Sequence, residues 1–520
     1  MFGLQKQANA QLVAPTLPQQ FLAAATPLST INDDITVNCD MLSTANGLPI
    51  RAIVWDDGSE GNSGLGIGMV HLYVQDYAGH TYKYDFQGAH ADVVLGDDPS
   101  NPGVNYYVAI AHVDGSYHQA VRYFFLSGVG TSGFTATPTG LPQSLGSASN
   151  NPLFDSEALP HIDITPDLPT PGGLPLMHRF IATFEDNGSI YYAAGDVTGG
   201  SLSMPVFVAN GKQPDVSCET DIVTGDRYAN IVYLSPTTSN VNLMLTRVAL
   251  STGASSVSVL DINNSNQRAF FLPRIESMNL LNPANPGVEW QVVSSVVDYP
   301  AGNWAIYGYN NIAGKRLLSS YFSTSSVDGK ASAVAAGPGR TMGNFIGNTQ
   351  YTTGFFPRQV QKLYSRSVDA FTGIETKPCY QINNSTVYDA PTYTEADAAK
   401  SLALSNCSNS GRFTLSVWYD GNQNMFQKLS TSNTVQFKTT SVEDVANGES
   451  GKPYPNPAID YIHLSEKGNY KIYDMQGRLI INGENKGAME TIDVHKLPAG
   501  TYMLRLQTES GNDSYTFVKQ

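Results

Sequence analysis

Between about residues 35 and 440, short runs of β-branched and aromatic residues alternate with turn sequences. In the clearest cases, two such runs flank an Asp-Gly or Asn-Gly dipeptide, at positions 57–58, 114–115, 187–188 and 420–421. The tight turn that joins two antiparallel strands needs positive φ at both central residues, which Asn, Asp and Gly tolerate best. The pattern therefore predicts an all-β chain in which hairpins follow one another.

The hairpins recur at a regular spacing. With two looser turns near residues 237 and 302, the turn centres fall at about 58, 115, 188, 237, 302 and 421. The last interval is about twice the others, so we expect a seventh, degenerate hairpin near residue 360. Short apolar lead-in strands precede several hairpins, at residues 92–95, 161–164, 214–217 and 273–276. A lead-in strand, a hairpin and one outer strand make a four-stranded sheet, and a ring of such sheets is a β-propeller.

The predicted fold class is all-β, with a β-propeller of about seven blades over residues 35–440 and a small C-terminal β-sandwich over residues 453–520. Six or eight blades are alternatives, and stacked β-sandwiches are a different all-β solution. Residues 441–452 are polar and contain glycine, which is typical of a linker. One segment departs from the β pattern: at residues 394–404, Thr394 could cap a helix rich in Ala and Leu.

Residues 1–34 are interpreted as an extended leader, because Pro, Ala and Thr are frequent and no period is visible. Ala8-Asn9-Ala10, followed by Gln11, resembles the small-x-small end of a signal peptide. The preceding residues contain no apolar segment of the usual length. The leader is therefore interpreted either as the remnant of a truncated signal peptide or as a chance match.

Composition and charge narrow the function classes. Apolar residues make up 41% of the 520 residues and charged residues only 14%, while Tyr (28) and Gly (47) are abundant. This composition is typical of an extracellular all-β protein. The formal net charge is −15 and no basic stripe is present, which excludes nucleic acid as a partner. No stretch approaches the roughly 20 apolar residues that span a bilayer, so no transmembrane segment is predicted.

The C-terminal 453–520 segment has short alternating strands with a turn signal about every ten residues, as in a compact β-sandwich. Four motifs occur in it, in this order: Pro455-Asn456-Pro457, Asp474 with Gly477-Arg478, the run from Leu497 through Gly500 to Tyr502, and Lys519 near the end. In order and spacing they resemble the type A C-terminal sorting domain of the type IX secretion system of Bacteroidetes.

That resemblance implies an export route and partners. Such proteins cross the inner membrane with a signal peptide and the outer membrane through the type IX translocon. A surface sortase then commonly removes the sorting domain, and the cargo is anchored to lipopolysaccharide or released. The resemblance therefore implies a cell-surface or extracellular location, with the translocon and the sortase as partners of the C-terminal domain.

Of the four cysteines, Cys379 and Cys407 flank a loop-rich stretch and are candidates for one disulfide. The alternative is that all four cysteines are buried thiols.

Acidic turns supply the oxygen ligands that Ca²⁺ prefers, and the weak candidates are Asp56, Asp57, Asp97 and Asp98. Neither turn has the complete alternating pattern of a calcium loop, so plain turn chemistry is the competing interpretation. No other cofactor is predicted.

No catalytic residue is predicted, because no His-Glu-x-x-His or Gly-x-Ser-x-Gly motif is present. Carboxylate pairs such as Asp215 with Glu219, or Glu185 with Asp186, cannot be judged by spacing, since a propeller brings catalytic groups together from different blades.

Two function classes stay open. The first is a non-enzymatic surface protein: an adhesin, a binder of a glycan or protein, or a self-assembling component. The second is a secreted polymer-degrading hydrolase with carboxylates at the propeller axis. An axial pocket with two or three carboxylates of raised pKa would indicate the enzyme. A plugged axis with apolar patches on the outer rim would indicate the binder, which the lack of a catalytic signature favours.

Overall fold

A computed structural model describes, short loops apart, residues 20–24, 36–56, 68–146, 160–166, 176–262, 269–381, 402–431 and 461–519. The description between residues 278 and 401 is of the backbone alone. The chain divides into two compact units, Met1–Gln436 and Phe437–Gln520. The described residues form strands and turns, and no helix among them is long and apolar enough to cross a membrane.

The first unit is built from antiparallel strands. In chain order they begin with β1 (Gln20–Ala24), β2 (Val37–Ser43), β3 (Pro49–Asp56), β4 (Met69–Gln75), β5 (Thr81–Asp97), β6 (Tyr106–Asp114), β7 (Gln119–Ser127), β8 (Thr135–Pro138), β9 (Gln143–Ser144), β10 (His161–Pro166), β11 (Met177–Asp186), β12 (Ser189–Asp196), β13 (Val206–Asn210) and β14 (Lys212–Thr220). They continue with β15 (Arg227–Pro236), β16 (Val241–Ala249), β17 (Ser255–Ile262), β18 (Ala269–Asn279), β19 (Glu289–Asp298), β20 (Trp304–Asn310), β21 (Gly314–Leu317), β22 (Val327–Gly337), β23 (Arg340–Thr353), β24 (Phe356–Asp369), β25 (Glu375–Gln381), β26 (Leu402–Asn406), β27 (Phe413–Tyr419) and β28 (Asn424–Thr431).

These strands form seven four-stranded blades in the part of the chain that the structure describes. From the innermost strand outwards, blades 1 to 7 are β2-β3-β4-β5, β5-β6-β7-β8, β10-β11-β12-β13, β14-β15-β16-β17, β18-β19-β20-β21, β22-β23-β24-β25 and β26-β27-β28-β1. The innermost strands contact one another in the closed cycle β2, β5, β10, β14, β18, β22, β26 and β2. The first unit is therefore a β-propeller of seven blades, which confirms the predicted fold class.

The predicted hairpins are the central hairpins of the blades, and the lead-in strands are the innermost strands. At the tight turn between β11 and β12, Asn187 has a φ of 52° and Gly188 a φ of 71°, as the Asn-Gly signal requires. The degenerate seventh copy expected near residue 360 is the long hairpin of β23 and β24, whose strands end at Thr353 and begin at Phe356.

The last blade joins the two ends of the propeller sequence. Its three inner strands come from residues 402–431, and its outer strand is β1, which pairs antiparallel with β28. Residues 20–24, which sequence analysis assigned to a leader, thus belong to the seventh blade. The predicted linker at 441–452 lies outside the described residues.

The helix predicted at residues 394–404 is wrong at its C-terminal end, because residues 402–404 belong to the innermost strand β26. Pairing of β26 with β27 overrides the local helix propensity of Ala and Leu, which is a weak preference compared with tertiary packing. Residues 394–401 lie outside the described part of the chain.

Apolar side chains between adjacent blades hold the ring together. Between blades 7 and 1, for example, Val37, Met41 and Trp55 pack with Leu415 and Met425, and all five are buried. Burying one such side chain contributes about 1.5–3 kcal/mol. The closure of the ring is therefore a hydrophobic interface as well as a strand pairing.

The second unit is a small sandwich of two sheets. Its strands are β29 (Tyr461–His463), β30 (Gly468–Asp474), β31 (Leu479–Asn485), β32 (Thr491–Asp493), β33 (Gly500–Thr508) and β34 (Gly511–Lys519). One sheet has the order β31-β30-β33-β34, and the other pairs β29 with β32. Ile462 and Ile492 of the small sheet pack with Ile472, Leu504 and Phe517 of the large one, as the predicted C-terminal β-sandwich requires.

Candidate functional site at the ring axis

The innermost strands surround a cavity of about 100 Å³ at the axis of the propeller. Acidic side chains from five successive blades line it: Asp40, Asp92, Asp163, Asp215 and Glu276. Each lies on an innermost strand, so the propeller topology alone brings them together.

Four of these acids make the same contact with the next blade. One carboxylate oxygen accepts the backbone N–H of a residue on the following innermost strand, and we call these contacts the aspartate latches. The pairs are Asp40 with Leu95 (2.7 Å), Asp92 with Ile162 (3.0 Å), Asp163 with Cys218 (2.5 Å) and Asp215 with Ile275 (2.8 Å).

The second oxygen is also engaged. In Asp40, Asp92 and Asp215, it accepts the N–H of the next residue in the same strand, at 2.6, 2.9 and 2.9 Å. From blade 7, the Ser405 hydroxyl donates to Asp40 at 3.2 Å. The carboxylates thus link blades 1 to 5 in series, and Ser405 links blade 7 to blade 1.

A histidine and an arginine complete the site. His161 Nδ1 lies 3.1 Å from Asp92 Oδ2 and 3.5 Å from Asp215 Oδ1. Arg274 Nη1 lies 2.7 Å from His161 Nε2 and 3.2 Å from Nδ1. A guanidinium only donates, so the shorter of these two contacts is assigned as a hydrogen bond from Nη1 to Nε2, while Nδ1 faces Asp92.

Burial shifts the carboxyl groups towards their neutral form. It raises the pKa of Asp40 to about 6 and that of Asp163 to about 8, although the backbone N–H groups act in the opposite direction. The pKa of Asp215 is raised for the same reason, against the effects of His161 and Arg274. Burial, followed by the charges of Asp163, Asp40 and Asp215, raises the pKa of Glu276 well above its usual range.

The arrangement resembles a catalytic dyad but differs at the decisive atom. In an Asp–His dyad, the nitrogen remote from the carboxylate takes the proton of the nucleophile or of water. Here the Arg274 guanidinium already occupies that nitrogen of His161. In the observed geometry, His161 therefore positions Asp92, Asp215 and Arg274.

The carboxylate pairs considered from the sequence are separated by the fold. Asp215 lines the axis, whereas Glu219, at the far end of β14, binds the Arg247 guanidinium at 3.1 Å. Glu185 accepts the N–H of Gln213 on the next blade at 3.2 Å, and Asp186 ends β11.

The calcium candidates occupy turn and blade-crossing positions. The oxygens of Asp56 accept the N–H groups of Thr36 (3.0 Å) and His90 (2.7 Å), where the chain passes from blade 1 to blade 2. Asp98 accepts the N–H of Ser100 at 2.9 Å. Burial raises the pKa of Asp97 to about 6.

Asp57 lies outside the described residues, and within them no group of three or more His, Cys, Asp or Glu is arranged for a metal ion. Calcium binding at Asp56, Asp57, Asp97 and Asp98 therefore stays a prediction.

The disulfide predicted between Cys379 and Cys407 also stays a prediction. Cys407 and the side chain of Cys379 lie outside what the structure describes. The other two cysteines, Cys39 and Cys218, are free thiols on the innermost strands of blades 1 and 4.

In the C-terminal sandwich, the motif residues have structural roles. Asp474 accepts the backbone N–H (2.9 Å) and the Nε–H (2.6 Å) of Arg478, which joins the ends of β30 and β31. Tyr502 donates its hydroxyl to the Pro498 carbonyl at 2.8 Å and stacks on Phe517.

Three further motif positions are described. Leu497 is buried in the core of this unit, in the same cluster as Tyr502 and Phe517. Gly500 on β33 lies opposite the buried Lys519 on β34. Pro455, Asn456, Pro457 and Gly477 lie outside the described residues.

Comparison with known families decides what this second unit is. Residues 452–520 match the family model described as "Secretion system C-terminal sorting domain". They are a type IX secretion sorting domain. The chain is therefore an exported cargo protein, carried across the outer membrane to the cell surface or the extracellular space by the machinery that this domain engages.

No curated protein matches the exported chain. Solved structures that resemble it do so at very low identity. They include the Trypanosoma rangeli sialidase in complex with sialic acid (9% identity, TM-score 0.35, 97% of this chain and 88% of that one). An alpha-L-arabinofuranosidase from Fusarium graminearum has 8% identity, a TM-score of 0.34 and coverage of 79% and 98%. AofleA from Arthrobotrys oligospora has 9% identity, a TM-score of 0.32 and coverage of 66% and 83%.

Sequence reasoning missed the axial site, although a signal was present. Each of the four lead-in strands quoted above contains an acid, at positions 92, 163, 215 and 276. A single acid among apolar residues in a strand is uninformative, but its recurrence in strands that a propeller brings to one axis predicts a ring of carboxyls.

The latches predict an effect of Asp163 on stability. In Asp163→Ala the buried N–H of Cys218 loses its acceptor, which should cost about 1–3 kcal/mol in the free energy of unfolding. Asp163→Asn keeps an acceptor oxygen and should cost much less. The measurement is denaturant unfolding followed by tryptophan fluorescence, which reports the propeller because all four tryptophans lie between residues 55 and 418. Equal stability of the two variants would contradict the latch.

The raised pKa values of Asp40 (about 6) and Asp163 (about 8) predict a loss of stability with increasing pH. Because these values exceed the ordinary value of 3.8, the folded chain holds the protons more tightly than the unfolded chain. The stabilisation is complete below about pH 4 and is lost as the pH rises through about 6 to 8.

The free energy of propeller unfolding should therefore fall between about pH 5 and pH 9, and Asp163→Asn should fall less steeply over the upper part of that range. Unfolding midpoints at several pH values measure this. A free energy that rises with pH in both proteins would show that the axial carboxyls are ionised in the folded chain.

Proposed function

We propose that this exported protein is a non-enzymatic surface protein whose propeller binds a partner through its outer rim. The observation that carries the proposal is the commitment of four of the five axial acids, Asp40, Asp92, Asp163 and Asp215, to the aspartate latches. A cavity of about 100 Å³ supports it, since small-molecule sites usually enclose about 300–1,000 Å³.

Apolar side chains exposed on the outer rim support the same proposal. They belong to the outer strands of blades 3 and 4 and to the segment leading into β13: Met204, Val206, Phe207, Val257, Val259 and Ile262. Exposed apolar groups on strands are typical of contacts with another protein. Among the partners considered from the sequence, a protein surface therefore fits this rim better than a glycan.

The second candidate function is a polymer-degrading hydrolase, which the raised pKa values of Asp40, Asp163, Asp215 and Glu276 favour. A glycosidase needs one carboxyl group that is protonated at working pH. The engaged Nε2 of His161 and the small cavity argue against this candidate.

Reducing-end release from a panel of polysaccharides separates the two functions. We expect the full-length protein and its Glu276→Gln variant to give the same background rate, because no carboxyl group at the axis acts on a sugar. Release that depends on Glu276, in a variant with unchanged thermal unfolding, would replace the binding proposal by the hydrolase. Glu276 suits this test because it takes no part in the four latches.

For the sorting domain, we propose the complete route implied by the resemblance to Bacteroidetes cargo proteins: docking at the type IX translocon, cleavage by the surface sortase, and anchoring or release of the propeller. Calcium in the acidic turns and the Cys379–Cys407 disulfide are further proposals, supported by residue type and position alone.

Cleavage predicts a shorter mature chain. Intact-mass measurement of native protein from the cell surface or the medium should give a mass that lacks the C-terminal ~70 residues, since the matched domain begins at residue 452. The same measurement on a strain without the sortase is the control and should give the longer form. A native mass that includes the whole domain would mean that the mature protein keeps it.

A further inference from the structure

The outer edge of blade 4 has the features of a pairing surface. β17 ends the sheet β14-β15-β16-β17, so no described strand pairs with its outer edge. Within the regular segment Ser255–Val259, the backbone groups on that side have no strand partner among the described residues. Val257 (57% exposed) and Val259 (52% exposed) add apolar side chains to this strand.

Three other outer strands of the ring contain residues that discourage such pairing, whereas β13 and β1 contain neither charge nor proline but are shorter than β17, with five residues each against eight. β21 contains Lys315 and Arg316, β25 contains Lys377 and Pro378, and β8 ends in Pro138. Charges and proline on an edge strand prevent uncontrolled pairing. Residues 255–260 of β17 have neither, although the chain as a whole carries a net charge of −15.

We propose that β17 pairs antiparallel with β17 of a second copy of this chain. The proposal rests on the rim-binding function above and names its partner. A two-fold axis through Ser258 places Val257 opposite Val259 of the second copy, and Val259 opposite its Val257. All four valines then lie on one face, because residues 257 and 259 point to the same side of the strand.

Charge explains why a second copy fits this edge. Two chains of net charge −15 repel each other, so a self-contact is opposed least where both contacting surfaces are uncharged. Asp261, the acid closest in sequence to the valines, follows the bulge at Leu260 and therefore lies outside the regular segment Ser255–Val259, and it does not come opposite another Asp261. The segment Val257-Ser258-Val259 is therefore self-complementary, as a two-fold interface requires.

Sedimentation velocity of the full-length protein tests this directly. We expect a dimer that dissociates in Val257→Lys, because two lysines would be placed within the four-valine cluster. The matched control is Val104→Lys, since Val104 is 56% exposed and lies outside the outer strands. A monomeric unsubstituted protein at tens of micromolar, or a Val257→Lys variant as dimeric as the control, would overturn the proposal.

An engineered disulfide tests the register. In Ser258→Cys, the two new cysteines face each other across the two-fold axis, with Cβ atoms about 4.5–5.5 Å apart. In Ser256→Cys, they are offset by four residues, or about 14 Å. Mild oxidation should therefore cross-link the first variant and leave the second at the level of the unsubstituted protein. Equal cross-linking of the two variants would exclude this register.

Both measurements are made without any substrate, so they are independent of the hydrolase assay. A dimer in a protein that degrades a polysaccharide would leave β17 pairing intact and overturn only the binding function. A monomer without hydrolase activity would overturn the pairing alone and leave the rim open to a different partner.

Discussion

The propeller depends on how it satisfies the free edges of its innermost strands. Each blade ends at the axis with a strand that has one unpaired edge, and buried N–H groups on that edge need acceptors. Asp40, Asp92, Asp163 and Asp215 supply them from the preceding blade. The same contacts that satisfy the backbone therefore also fix the positions of blades 1 to 5 relative to one another, in addition to the apolar packing between the sheets.

This solution concentrates acidic groups in a poorly solvated place, and it accounts for the properties that make the axis look catalytic. Raised pKa values and convergent carboxyls are features of active sites, but structural networks produce them as well. Here a structural network is the more specific explanation, because it assigns a backbone partner to each aspartate and a position to His161 and Arg274. The latches account for the presence of carboxyl groups at these four positions without a bound cation or a hydrolytic water.

The sequence predicted the global architecture better than the site. Turn dipeptides such as Asn187-Gly188 are local signals with a backbone cause, and their spacing predicted seven blades because each blade repeats one hairpin. The strand at 402–406 was missed because its composition favours a helix and its pairing partner β27 decides its structure. Strand β1 was missed for a related reason: its partner β28 lies about 400 residues away, and no local pattern shows such a pairing.

The sorting domain and the rim together limit what the propeller can do. A cargo protein exported across the outer membrane is found at the cell surface or in the extracellular space, where a self-complementary edge can meet other copies of the same chain. Pairing through one outer strand leaves the other blades free to bind, and it requires no change at the axis. The latches and the β17 edge are thus independent devices of one fold, since the latches link blades 1 to 5 at the axis and the β17 edge lies on the outer rim.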